Sequence, residues 1–277
     1  MKVNATMITR RLMTNSEMKL VQQLEQNVWN MEPIPLHQTL TASQNGGLVL
    51  GAFFNEELVG FSYGFAGFNQ GKAYLCSHML GIDPGYRGKG IGASLKHEQK
   101  ALAREMGYDL IVWTFDPLET RNGYLNLSKL HAICSTYVED CYGEMDDNFN
   151  SGMPSDRFKV EWWINSSHIE KELSVNEEQA QSIFSYELTE TGLPKLINSE
   201  MILQGIQDNE QPILVPVPAH FQELKSQNYE LALDWRYKTR EIFQTLFAKG
   251  YAVVSIVKSD DKPVHQYLLV QKHTLEV

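Results

Sequence analysis

The apolar positions of this chain fall into short runs separated by polar turns, and the runs set out its elements. Residues 7–12 fit a first strand. Thr14 or Asn15 then caps a helix that continues through Trp29, with Leu20, Val21, Leu24 and Val28 as its apolar stripe. The run Met31-Glu32-Pro33-Ile34-Pro35 breaks it, because the residue before a proline is pushed out of the helical region. A short second helix fits residues 37–43. Three apolar runs follow, at 48–54, 58–65 and 73–82, with polar turns at 55–57 and 69–72, and they predict an antiparallel meander.

Residues 77–106 organise what comes next: a buried strand, a Pro-Gly turn, a glycine-rich loop and an amphipathic helix. Ile91, Leu95, Leu102 and Met106 share one arc at the helical period, with Lys96, His97, Lys100 and Arg104 beside or opposite it. Gly107 stands where a helix C-terminus places glycine. Gly88, Gly90 and Gly92 would each cost about 1 kcal/mol inside an ordinary helix. At the mouth of one they let the backbone approach a ligand and leave first-turn N–H groups facing it at the positive end of the helix dipole. The pattern describes an anion site, with phosphate as the natural anion.

Three phosphate-binding chemistries compete for this loop. A Walker A loop would put its first glycine at Asp83 and its hydroxyl at Gly90, so two positions fail. A dinucleotide fingerprint can be laid on Gly88, Gly90 and Ala93, but residues 83–87 then separate the strand from the first glycine, and Asp109 opens the next strand rather than closing it. The third pattern, R-x-x-G-x-G, is met by Arg87, Gly90 and Gly92 after a strand ending in Ile82-Asp83-Pro84. It resembles the acyl-CoA pyrophosphate loop of the GNAT acetyltransferase superfamily.

The order of elements agrees with that resemblance. After the helix, residues 109–115 read as a buried strand, 121–130 as helical, and 133–142 and 157–164 as strands around a polar loop at 143–156. The resemblance implies an α/β GNAT fold over residues 1–164, a mixed central sheet flanked by helices. The runs Thr114-Phe115-Asp116-Pro117-Leu118, Asn126-Leu127-Ser128-Lys129-Leu130 and Asp156-Arg157-Phe158 resemble a bacterial branch of the superfamily with an extra C-terminal part. Here that part is 165–277, expected as a smaller α/β extension. Residues 170–178 are charged and fit a linker or helix start. Residues 213–218 are extended, and their prolines place them at a sheet edge. A helix fits 227–249 with Leu231, Trp235, Ile242 and Leu246 on one face, followed by strands at 251–257 and 265–270.

Composition narrows the classes. The 277 residues carry a net charge of −10, and 43% are hydrophobic, ordinary for a soluble globular chain. Residues 161–277, with 10 basic and 17 acidic side chains, are the more acidic part. There is no basic face for nucleic acid and no apolar run of membrane-spanning length. No signal-peptide core precedes residue 12, so a cytoplasmic location is expected. Cys76, Cys134 and Cys141 lack metal or disulfide spacing, and no metal is expected.

For the chemistry, the resemblance implies acetyl-CoA as acyl donor and an amine acceptor that the sequence does not identify, with a homodimer compatible with the family. It assigns cofactor binding to Leu80, Ile82, Arg87, Gly88, Lys89, Gly90, Ile91 and Gly92. The Leu80 N–H would polarise the thioester carbonyl, and Ile82 would pair with the pantetheine amides. Lys89 and Lys96 are candidates for the outer phosphate. Many members carry a tyrosine four residues before a helix-ending glycine as general acid; those positions are Leu127 and His131 here. Tyr124, on the same expected helix, is the substitute acid. Asp116 and His78 are candidate bases, and Asp156-Arg157 a candidate acceptor contact. Arg236 and Arg240, one helical turn apart, either hold an acidic acceptor or form surface ion pairs. The rival readings are an acyl-CoA-binding module without catalysis and a nucleotide-dependent oxidoreductase.

Overall fold

The computed structural model describes residues 7–145, 151–171, 177–205 and 210–277. Parts of the expected loop at 143–156 and of the charged stretch at 170–178 lie outside them. The chain forms two compact units: Met1–Trp113 with Trp163–Asn165, and Thr114–Trp162 with Ser166–Val277. The main stretch of the first unit stops within the strand that follows the glycine loop, and Trp163–Asn165 rejoin it.

The first unit holds β1 (Met7–Arg11), α1 (Asn15–Trp29), α2 (Leu36–Gln44), β2 (Leu48–Phe54), β3 (Glu57–Asn69), β4 (Lys72–Ile82), α3 (Ile91–Glu105) and the start of β5 (Leu110–Phe115). Its sheet is mixed, in the order β1-β2-β3-β4-β5: the first four strands pair antiparallel, and β5 lies parallel to β4. Period-two alternation puts helices on both faces. Phe61 and Tyr63 pack with Met18, Val21 and Leu24 of α1, whereas Ser62, between them, accepts a hydrogen bond from Gln99 of α3. At the start of α1, Thr14 and Glu17 form a reciprocal capping box.

The second unit continues with α4 (Thr120–Gly123), a π-helical turn (Tyr124–Lys129), β6 (Ile133–Val138), β7 (Arg157–Trp163) and α5 (Ser167–Glu170). It then adds β8 (Ser185–Leu188), β9 (Pro194–Ile197), α6 (Ser199–Gly205), β10 (Ile213–Pro218), α7 (Phe221–Gln227), α8 (Tyr229–Ala248), β11 (Tyr251–Val257) and β12 (Val264–Gln271). Its main sheet runs β7-β6-β11-β12-β10, antiparallel throughout, and β8 and β9 form a separate hairpin. β10 is an edge strand, as its prolines require.

Some expected elements differ in extent: β3 continues to Asn69 rather than 65, and the helix expected at 121–130 is α4 followed by the π-helical turn. β6 ends at Val138 rather than 142, because Asp140 turns the chain with φ 39°. The helix expected at 227–249 is split by Asn228, which leaves the helical region and caps α8 by accepting from Leu231 N–H at 3.0 Å. The buried face of α8 contains Leu231, Trp235, Ile242 and Leu246 as expected, and also Arg236 and Thr239.

Candidate active site

The glycine loop is held by its own side chains. Asp83 Oδ1 accepts from Gly85 N–H at 2.8 Å and its carbonyl accepts from Tyr86 N–H at 2.9 Å, closing a single helical turn after β4. Asn27 of α1 donates to Asp83 Oδ2 at 3.1 Å, and Arg87 Nε donates to the Ile82 carbonyl at 3.3 Å. The Lys89 ammonium lies 4.4 Å from the centroid of the Tyr86 ring. Gly88 and Gly90 have φ of 80° and 78°, which only glycine adopts freely. A Cβ on either would meet no atom within 4 Å, so the space beside them is open to a ligand.

Gly90 is also the N-cap of α3, and no side chain caps this helix. The contrast with α1 and its capping box is chemical: the first-turn N–H groups of α3, at Ile91, Gly92 and Ala93, face outward with no side-chain acceptor. An uncapped helix start behind an open glycine cradle fits an anionic group such as a pyrophosphate.

Beside the loop, β4 separates from its parallel neighbour. The two strands pair only at Leu75–Ile111 and Cys76–Val112. In the ladder with β3, Tyr63 opposes Met79 and Gly64 opposes Ser77, so His78 is the extra residue of a β-bulge. Asp83 N–H donates to Val59 of β3. Backbone groups alternate sides in an antiparallel ladder, so the N–H groups of Leu80 and Ile82 point away from β3. The His78 ring lies 6.1 Å from Tyr63 and 5.8 Å from Phe65, edge to face, and loss of water around it lowers its pKa.

Lys96 is where the sequence reading needs correction. It is no solvated lysine reaching for a phosphate: it is 2% exposed. Its ammonium donates to Ser77 Oγ at 2.8 Å and Gln99 Oε1 at 3.2 Å, and lies 3.7 Å from the centroid of the Trp113 ring. Burial pushes its pKa down to about 7. The buried side of α3 comprises Ile91, Leu95, Lys96, Gln99 and Ala103, an arc rotated from the expected one toward polar positions.

In the second unit, Asp116 is committed to an ion pair. Arg236 Nη1 and Nη2 reach its two oxygens at 2.9 and 2.5 Å, and Leu118 N–H donates to Oδ1 at 2.8 Å. Arg157 adds a contact at 3.8 Å. Both oxygens are taken up by these structural partners, so the geometry gives Asp116 the part of an ion-pair anchor rather than that of a base. Arg236 is 1% exposed, not a surface residue. Burial alone would lower its pKa, but the Asp116 charge outweighs that and raises it. Asp156 is likewise saturated. It accepts from Tyr137 Oη (2.7 Å), Asp140 N–H (3.0 Å) and Arg240 Nε and Nη2 (both 2.8 Å). Neither arginine is available to hold an acidic acceptor.

Leu127, at the family's tyrosine position, is fully buried. His131, at the expected helix-ending glycine, adopts the left-handed conformation with φ 54°. The π-helical turn that contains Leu127, closed by Leu130 N–H to the Leu125 carbonyl at 3.0 Å, holds Tyr124 at a half-buried position. The ammonium of Lys258 lies 3.6 Å and that of Lys129 5.4 Å from its ring centroid. No local sequence signal links Tyr124 to Lys258, because β11 brings the lysine in from the far end of the chain.

These features define a mixed α/β acyltransferase-like unit with an uncapped anion loop beside a free strand edge. Residues 15–123 match the acetyltransferase (GNAT) family, and this stretch is a GNAT acetyltransferase domain. The match includes Asp116 and stops one residue before Tyr124. No curated protein matches the chain in sequence. Among solved structures, the ribosomal-protein-S18-alanine N-acetyltransferase from Escherichia coli is 13% identical, with a TM-score of 0.48 over 62% of this chain and 98% of that one. An N-acetyltransferase from Staphylococcus aureus Mu50 is 15% identical, with a TM-score of 0.47 over 58% and 99%. Arabidopsis thaliana Naa50 in complex with the bisubstrate analogue CoA-Ac-MVNAL is 14% identical, with a TM-score of 0.45 over 56% and 97%. These are distant likenesses. Among the described residues no helix is long and apolar enough to cross a membrane.

Proposed function

We propose that this protein transfers an acetyl group from acetyl-CoA to an amine by direct attack on the thioester. The observation that carries this reading is the uncapped, glycine-cradled start of α3 directly after a β4 edge that has left its neighbour. Arg87, Gly88, Lys89, Gly90, Ile91 and Gly92 would hold the pyrophosphate, chiefly through backbone N–H groups. Bound acetyl-CoA would supply the acetyl group as an activated thioester.

The Leu80 N–H is the donor for the carbonyl oxygen, a contribution of the kind worth ~10²–10³ in rate. Ile82 offers its N–H to the donor's amides as an added strand would. A lysine-like amine costs about 4.6 kcal/mol to deprotonate at pH 7. His78, with its pKa lowered from 6.5, is neutral there and can take that proton at a ring nitrogen. Tyr124 holds a proton at Oη for the departing sulfur. Residues 165–277 are proposed as an appended α/β extension, in a cytoplasmic enzyme.

The full burial of Leu127 favours a second reading, an acyl-CoA-binding module without turnover. The deciding assay follows free CoA thiol released from acetyl-CoA over a broad amine panel. Amine-dependent release supports transfer. Tight binding with no release over the panel leaves only the binding module, and absence of binding removes both.

A further inference from the structure

Lys96 occupies a position that packing alone does not explain. β4 and β5 are hydrogen-bonded at Leu75–Ile111 and Cys76–Val112, and the next residue on each strand is Ser77 and Trp113. At this first unpaired step the Lys96 ammonium enters from α3, donating to Ser77 Oγ on one side and lying over the Trp113 ring on the other. Its third partner, Gln99 Oε1, is fixed in turn, because Gln99 Nε2 donates to Ser62 Oγ on β3 at 2.9 Å. The cation is thus tied to β3, β4 and β5 together. Among the described residues no carboxylate neutralises it; the titratable group acting on it is the Cys76 thiol. A buried ammonium with only neutral partners is costly, and a methionine of similar length would fill the same space without that cost. The His78 bulge follows at once, and beyond it come the outward N–H groups of Leu80 and Ile82.

We propose that Lys96 is a positioning residue: a polar wedge, held by Ser77 and Trp113, that fixes where β4 leaves β5 and so how the Leu80 and Ile82 backbone is presented. The proposal rests on the reading of those two residues as donors to acetyl-CoA. It assigns Lys96 no contact with the pyrophosphate, which the loop and the helix start are placed to bind by themselves.

The test compares wild type with Lys96→Met and, as a milder variant, Ser77→Ala, which removes only the β4 end of the wedge. Calorimetry gives acetyl-CoA affinity, thiol release gives kcat, and hydrogen exchange follows the amides of 77–82. In Lys96→Met, affinity should stay within about threefold while kcat falls at least tenfold. Exchange over 77–82 should quicken at least tenfold, with α1 unchanged. Ser77→Ala should move both in the same direction by a smaller factor. If wild type shows no turnover, the functional reading has failed and the exchange experiment alone decides the wedge. Unchanged exchange at 77–82 in both folded variants overturns the proposal. So does a parallel loss of affinity and kcat with faster exchange throughout the first unit, which would make Lys96 an ordinary core residue.

Discussion

Replacing Arg236 with methionine should be among the most damaging single changes in the second unit. The guanidinium is 1% exposed and binds both oxygens of Asp116, whose side chain is 12% exposed. Removing one partner of a buried pair typically costs ~3–5 kcal/mol, because the other charge is left without compensation. Asp116 would keep Leu118 N–H at 2.8 Å and Arg157 at 3.8 Å, so the expected loss lies near the lower end, about 3 kcal/mol. Asp116→Asn should cost as much or more. Among the described residues Arg236 would lose its only carboxylate partner at hydrogen-bond distance, and its Nε already has no partner there. The double variant removes both charges and should cost about 2 kcal/mol less than the sum of the singles. Urea unfolding at pH 7, followed by circular dichroism, gives all three values. A loss below about 1 kcal/mol for Arg236→Met, with additive singles, would refute the view that this pair is a buried, coupled unit.

Three further outcomes are expected. His131→Gly should raise stability by up to about 1 kcal/mol, since it relieves a left-handed non-glycine residue; a clear fall in melting temperature would show that the imidazole is needed. The stability of wild type relative to Lys96→Met should rise with pH. The folded pKa of Lys96 is about 7 against 10.5 in the unfolded chain, so between those values the unfolded state binds more protons. The gain from pH 6 to pH 9 works out at roughly 2–3 kcal/mol in unfolding free energy, and a flat difference would mean that the ammonium is not desolvated. Tyr124→Phe should lower kcat with acetyl-CoA affinity nearly unchanged; unaltered turnover would remove Tyr124 from the mechanism.

What the sequence revealed was what depends on local pattern. The strand, turn, glycine loop and helix of residues 77–106 follow from period, turn chemistry and glycine spacing, and they stand where expected. The edge position of β10 followed from its prolines. What stayed hidden were polar side chains on buried faces. Lys96 lies just past the apolar arc of α3, and only the neighbouring Ser77, Gln99 and Trp113 turn that flank into an interior. Arg236 sits among apolar positions of α8, but its partner Asp116 is 120 residues earlier. The π-helical turn at Tyr124–Lys129 was read as ordinary helix, because the i to i−5 bond that sets its register leaves no mark on apolar spacing. The sequence around it showed only departures from the family: leucine for tyrosine at Leu127 and histidine for glycine at His131.

The most direct test of the central claim is calorimetric titration of acetyl-CoA into wild type and Gly92→Val. Gly92 lies in the first turn of α3 with a helical backbone, so valine meets no left-handed strain there and chiefly fills the space in front of the first-turn amides. Saturable binding to wild type that is lost in the folded variant is the predicted result. No binding to wild type at millimolar acetyl-CoA, or equal binding to both proteins, would contradict the account.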